Sequence, residues 1–165
     1  MIQWGSFREL LENEKSRRLI GFDMFDAFPD SGTIDSDKQF IEKWNSDFAG
    51  EFLTRDELYQ SLKLKGINNV ELIKGNILKT LPEFLSRNGQ LRIALLHIDT
   101  DVYEPCKVGL ELLFDRIVPN GLIVFDDYST IEGETLAVDE FFADRKHEFM
   151  KFPFSHSKPI YMIKH

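Results

Sequence analysis

"IALLHIDTDVYEP" (residues 93–105) is an apolar run that ends in two carboxylates one residue apart, Asp99 and Asp101. "GLIVFDDYST" (residues 121–130) repeats the pattern and ends in Asp126 and Asp127. Both runs are continuous, contain β-branched residues and are bounded by turn signals, which suits strands buried on both faces of a parallel sheet. Between them, "YEPCKVGLELLFDRIVPNG" (103–121) places Pro105 in the first turn of a helix. Val108, Leu112, Leu113, Arg116 and Ile117 follow at roughly helical spacing, and Pro119-Asn120-Gly121 supplies the stop and turn. Such a strand-helix-strand crossover is nearly always right-handed.

The carboxyl ends of parallel strands lie along one edge, where open α/β sheets bind their ligands. Alternation along a strand lets Asp99 and Asp101 point to the same side, and neighbouring strands lie about 4.8 Å apart. Asp99 would then reach Asp126 and Asp127. Carboxylates packed this way repel and raise one another's pKa, and a cation is the usual remedy. An all-oxygen set without Cys or a His cluster favours Mg²⁺, Ca²⁺ or Mn²⁺ over Zn²⁺. The competing reading, helix caps and solvated loop acids, loses weight when two such pairs end consecutive strands.

Upstream, "RRLIGFDMF" (17–25) reads as a short strand closing at Asp23, where a nucleotide-binding sheet commonly takes ribose hydroxyls. "NVELIKGNI" (69–77) gives a strand over Val70–Lys74 and a Gly75-Asn76 turn that would let a backbone approach an adenine. Residues 31–68 carry two capping-box patterns, Ser36 with Gln39 and Thr54 with Glu57, hence two helices, the second ending at Gly66. A plain crossover needs one helix, so the insertion is either a substrate-side lid or a cover for the sheet. Downstream, "EGETLAVDEFFADRKHE" (132–148) reads as a helix with Leu136, Val138, Phe141 and Phe142 on its apolar side. "EFMKFPFSHSKPIYMIKH" (148–165) reads as a closing hairpin whose loop holds Ser155, Ser157 and Pro159. The sum is one α/β domain over residues 1–165, its sheet mostly parallel with a C-terminal antiparallel hairpin.

Composition narrows the function classes. A net charge of −8 with no basic stripe argues against nucleic acid or an anionic membrane as partner. No run is apolar and long enough to cross a membrane, no secretory signal is visible, and a single Cys106 excludes a disulfide framework. These features favour the cytoplasm. Cys106 starts a helix but reads as buried and inert. His97, inside a strand, reads as a packed, hydrogen-bonded core residue rather than one that orients a ligand. His147, His156 and His165 lack ligand spacing.

Taken in order, "GFDMFDAFP", "IKGNILKTLPEFL", "LLHIDTDVYEP" and "GLIVFDDYSTIEGETLAVDEFF" resemble the macrocin O-methyltransferase-like family, close to dTDP-6-deoxy-hexose 3-O-methyltransferases. The resemblance covers residues 5 to about 142 and implies a Rossmann-like class I methyltransferase sheet. It implies S-adenosylmethionine (SAM) as methyl donor, Mg²⁺ or another hard divalent cation, and a sugar hydroxyl as acceptor. Position by position, Asp23 would bind the SAM ribose and Asn76 would lie near the adenine. Asp99, Asp126 and Asp127 would hold the metal, with Asp99 also beside the cofactor, and Asp101 would be the general base. The family's glycine-rich turn, roughly Glu-x-Gly-Val-x-x-Gly-Gly-Ser, is matched only by Gly5 and Ser6 of "MIQWGSF", with Trp4 in place of a glycine. The chain therefore reads as N-terminally incomplete and its first strand as missing. That leaves a slot between the Asp23 and Asp99 strands for another element or a homo-oligomeric partner. Two alternatives stand beside this reading: a catalytically inactive methyltransferase-like binding module, and a haloacid-dehalogenase-type phosphatase, whose paired acids would normally lie further apart in the chain.

Overall fold

The computed structural model describes residues 1–29, 34–48, 51–153 and 159–165. In chain order the elements are α1 (Ile2–Leu11), β1 (Leu19–Asp23), α2 (Asp35–Phe48), α3 (Arg55–Leu64), β2 (Val70–Lys74), α4 (Ile77–Arg87), β3 (Ile93–Ile98), α5 (Tyr103–Leu113), β4 (Ile117–Phe125), α6 (Glu132–Phe142), β5 (Met150–Lys151) and β6 (Ile160–Ile163). A 3₁₀ turn over Phe114–Arg116 joins α5 to β4.

The strands form two sheets. β1 and β2 pair in parallel, and β3 and β4 pair in parallel within a four-stranded sheet of order β3-β4-β6-β5. β6 runs antiparallel to both β4 and β5, which is the expected C-terminal hairpin. Of its loop, Ser155 and Ser157 lie outside the described residues. The Asp23 and Asp99 strands are not hydrogen-bonded to each other, and no strand among the described residues lies between them. The first turn of α1 touches both: the Met1 methyl group lies against Gly21 of β1, and the Trp4 ring packs edge-on against His97 of β3, centroids 5.4 Å apart.

Consecutive residues of a strand face opposite sides. Burial of Ile123, Val124 and Phe125 in succession therefore means that β4 is covered on both faces, as its apolar run predicts. β3 departs from the expectation. Leu96 and Ile98 are buried but Leu95 is exposed, so one face of this strand is partly open. The core gathers Leu81, Phe84, Leu110, Ile123, Phe125 and Phe142, the inward sides of α4, α5, β4 and α6.

Several local expectations shift. β4 begins at Ile117, so Pro119-Asn120-Gly121 lie inside the strand rather than in a turn before it. Ile93 pairs with Ile117 and Leu95 with Leu122, so a bulge in β4 absorbs the extra residues, with Asn120 at φ 63°. The buried stripe of α5 is Cys106, Gly109, Leu110 and Leu113, and Leu112 faces outward. On α6 the buried positions are Gly133, Glu134, Ala137, Val138 and Phe142, while Leu136 is 38% exposed. "MIQWGSF" belongs to α1 rather than to a turn. Gly5 lies inside the helix, where a Cβ would sit 2.6 Å from the Ile67 side chain, and Ser6 is exposed.

The two insertion helices pack in different places. α3 carries the capping box of Thr54 and Glu57, buries Leu62 and lies beside β2, and Gly66 follows it at φ 70°. α2 starts at Asp35, one residue before Ser36, whose hydroxyl is buried without a hydrogen-bond partner among the described residues. It lies against α6, and Asn45 ties it to Phe28 by accepting from the Phe28 N–H at 3.0 Å and donating to its carbonyl at 3.2 Å.

Candidate active site

β3 and β4 deliver their acids to one place because they are hydrogen-bonded neighbours, Ile98 opposite Phe125. The Asp126 N–H donates to the Ile98 carbonyl at 3.0 Å and extends the ladder by one residue. Each of Asp99, Asp126 and Asp127 offers a carboxylate oxygen, and the three oxygens lie within 4.8 Å of one another. Asp99 is exposed, Asp126 half-buried and Asp127 4% exposed. The cluster therefore opens to solvent on one side and is seated in protein on the other.

The electrostatics follow from crowding. Although Asp99 as a whole residue is exposed, its carboxyl group is crowded by protein, and that loss of solvent, then the Asp126 charge, pushes the carboxyl above the ordinary range. His97 pulls it down, Asp127 pushes it up again, and the Met1 ammonium gives a smaller pull downward. Three hard oxygen donors at this spacing, with no thiolate, can close on a cation of the Mg²⁺, Ca²⁺ or Mn²⁺ kind. His97 does more than pack. Its Nε2 lies 3.3 Å from Asp126 Oδ1, so the ring holds a carboxylate of the cluster while Trp4 covers it.

Asp101 is not one of the three clustered acids. It occupies the centre of a tight turn in which the Val102 N–H donates to the Thr100 carbonyl at 2.6 Å, and its own φ is +60°. Left-handed backbone at a non-glycine residue persists only where the surroundings hold it. Two buried acids do so here, and sequence reasoning missed both. Asp37, 1% exposed on α2, accepts the Tyr103 N–H at 2.9 Å and so caps α5, whose own N-cap residue Val102 has no side-chain acceptor. Burial raises the Asp37 carboxyl, against the pull of the N–H groups of Tyr103 and Ile34 and with a push from Glu132. Glu134, 0% exposed on α6, accepts the Asp127 N–H at 3.0 Å and donates its own N–H to the Asp101 carbonyl at 3.3 Å. Burial pushes its carboxyl up to about 8. The capping pattern pointed at Ser36, and only the fold shows that Asp37 turns inward. A Glu at i−4 from Val138 was the one available signal for Glu134.

The remaining sequence-predicted residues lie apart from this cluster. Asp23 is exposed at the end of β1, and its carboxylate accepts the N–H of Phe25, which has φ 48°. Asn76 caps α4 by accepting the Leu78 N–H at 2.9 Å, and Gly75 before it takes φ 129°, a conformation that suits glycine. Cys106 is fully buried, and burial drives its thiol far above the ordinary range, in line with an inert core residue.

The fold has counterparts among solved structures. CalS11, a calicheamicin methyltransferase, superposes with a TM-score of 0.69 at 22% identity, over 98% of this chain and 66% of that one. The O-methyltransferase NovP superposes with a TM-score of 0.80 at 20% identity, over 99% of this chain and 66% of that one. An O-methyltransferase from Bacillus cereus in complex with SAH gives 0.55 at 12%, over 99% and 81%. The chain thus spans just under two thirds of the length of the first two. No curated protein matches the sequence significantly. These superpositions show the mixed α/β fold of class I methyltransferases. The sequence profile of one family runs over residues 7–153, across both acid-bearing strands, and the chain accordingly belongs to the macrocin-O-methyltransferase (TylF) family.

Proposed function

We propose that this chain carries the catalytic acids of a SAM-dependent, divalent-metal-assisted O-methyltransferase that acts on a sugar hydroxyl. The observation that carries the reading is the convergence of Asp99, Asp126 and Asp127 at the ends of two adjacent parallel strands in a member of this family. The apo form of CalS11 is described as a TDP-rhamnose 3'-O-methyltransferase, which makes a deoxysugar the acceptor class to test first.

In this reading Asp99, Asp126 and Asp127 hold the cation, Mg²⁺ first among candidates. When bound, it lowers the pKa of an acceptor hydroxyl and orients it. SAM supplies an electrophilic methyl group. Asp101, two residues past Asp99 in the loop after β3, takes the hydroxyl proton as general base. His97 fixes the rotamer of Asp126 through Nε2. Asp23 is offered to the ribose hydroxyls and Asn76 lies toward the adenine. Gly5 and Ser6 lie within α1, Gly5 against Ile67, and take no part in holding the methionine moiety in this reading. α2 forms the wall on the acceptor side and acts as the lid. The partners are a small sugar-containing molecule and, in a homo-oligomer, further copies of the chain, in the cytoplasm.

Calorimetry with S-adenosylhomocysteine, with and without Mg²⁺, tests the reading. Binding that strengthens with Mg²⁺ is expected. A folded sample that binds neither ligand would favour the inactive binding module.

A further inference from the structure

We infer that Glu134 is the positioning residue that sets the distance between the two acid-bearing loops, and so the geometry of the divalent-cation site. This inference deepens the metal reading above and rests on it. Asp99, Thr100 and Asp101 belong to the loop after β3, and Asp126 and Asp127 to the loop after β4. Beyond the Asp126–Ile98 bond the ladder ends, and regular sheet pairing no longer fixes how far the loops stand apart.

Glu134 takes over at that point. It occupies the first turn of α6, whose N-cap residue Ile131 has no side-chain acceptor, and it is the largest polar side chain with no exposure in the core. Its Oε1 accepts the Asp127 N–H at 3.0 Å, and its Oε2 accepts the Thr100 N–H at 3.4 Å, the longer and weaker of the two bonds. Its main-chain N–H donates to the Asp101 carbonyl at 3.3 Å, and the Cys106 thiol lies 3.9 Å from its own carbonyl. One rigid carboxylate thus spans the two loops, gripping the residue between Asp99 and Asp101 with one oxygen and Asp127 with the other.

The choice of residue type is informative. A buried carboxyl is costly unless its bonds repay it, and an apolar side chain would serve packing alone at this position. Glu supplies two acceptors at fixed separation, which two facing N–H groups of different loops require. Gln has one acceptor and would turn its NH₂ toward one of those N–H groups. Asp has both acceptors but is one methylene shorter. Side chains of this kind behind metal ligands hold the ligands in register, and their loss typically weakens metal affinity about 10- to 100-fold.

The test uses Mn²⁺ alone as probe, followed by electron paramagnetic resonance, with wild type, Glu134→Gln and Glu134→Asp. We expect wild type to bind Mn²⁺, both variants to bind it about 10- to 100-fold more weakly, and S-adenosylhomocysteine affinity to change less than about twofold. Loss in Glu134→Asp, which keeps both oxygens and the ionisable group, marks reach as the cause, and loss in Glu134→Gln marks the second carboxyl oxygen. Unchanged Mn²⁺ affinity and spectrum in folded Glu134→Gln would overturn the proposal alone. Wild type silent toward Mn²⁺ would overturn the metal reading and this proposal with it. Should the variants fail to fold, hydrogen exchange on wild type decides: the Asp127 and Thr100 amides are expected to be protected, and free-peptide exchange at Asp127 would refute the bond.

Discussion

Gly133 is where α6 meets the buried carboxylate of α2, and replacing it by alanine tests that packing. A Cβ on Gly133 would lie 2.7 Å from Asp37 Cγ and 2.8 Å from Oδ2, and closer still to Oδ1. The Asp37 carboxylate is therefore laid flat where the methyl group would go. Asp37 is almost fully buried and holds the Tyr103 N–H, so it cannot swing aside and keep its bond. Forced overpacking of a core costs about 1–3 kcal/mol, and losing the cap of α5 costs about 1 kcal/mol more. Alanine returns about 0.5–1 kcal/mol through its helix propensity. The net loss is about 2–3 kcal/mol, a fall in melting temperature of roughly 4–12 °C for a chain of this size. Thermal unfolding followed by far-UV circular dichroism measures it. The same substitution in an Asp37→Ala background has no carboxylate to meet, so there it should stabilise slightly, and the two sites should couple by about 3 kcal/mol. A Gly133→Ala protein that melts at or above wild type, or that loses the same amount in both backgrounds, would refute the placement of α2 on α6.

Asp126→Asn should abolish metal-dependent methyl transfer while leaving the melting curve near that of wild type; full turnover would remove Asp126 from the site. Because burial holds the Asp37 carboxyl above its unfolded value, its ionisation opposes folding: the associated stability is present below about pH 3.9 and is lost as pH rises through the raised value. Asp37→Asn keeps an acceptor for Tyr103 without the charge, so its melting temperature relative to wild type should improve between pH 4 and pH 7, as scanning calorimetry at the two pH values would show. Phe142→Ala empties the meeting point of the α6 and β4 aromatics, with a loss of about 3–5 kcal/mol in denaturant titration. Native protein should leave Cys106 unreacted with a thiol reagent that titrates it fully after unfolding.

The parts of the fold legible in sequence were those written in local chemistry. The apolar runs of β3 and β4 announced their parallel pairing, and Thr54 with Glu57 announced the start of α3 because a capping box is closed within four residues. Asp99, Asp126 and Asp127 were legible as a group because strand ends and sheet edges follow from the same pattern. What escaped depends on partners distant in the chain. Asp37 is buried because α5 and α6 present N–H groups and a bare glycine to it, and no neighbour in sequence signals that. Glu134 looks like an ordinary first-turn acid until the loops at Thr100 and Asp127 close over it. Asn120 was read as a turn because its left-handed preference serves a turn and a bulge equally well. His97 reads from sequence as packed and hydrogen-bonded, and the structure gives it packing against Trp4 together with a bond to Asp126, a partner that only the pairing of β3 with β4 supplies.

The contact between Trp4 and His97 has a use for anyone studying this protein in solution. The chain has two tryptophans, and they report on different regions. Trp44 sits among Phe28, Phe40 and Phe48 on α2, and its emission follows the insertion. Trp4 lies against an imidazole whose far nitrogen faces a carboxylate of the acid cluster, so its emission follows the surroundings of that cluster. With Trp44 replaced by Phe, the remaining fluorescence becomes an intrinsic optical readout of the packing behind the acid cluster, available without label or ligand analogue.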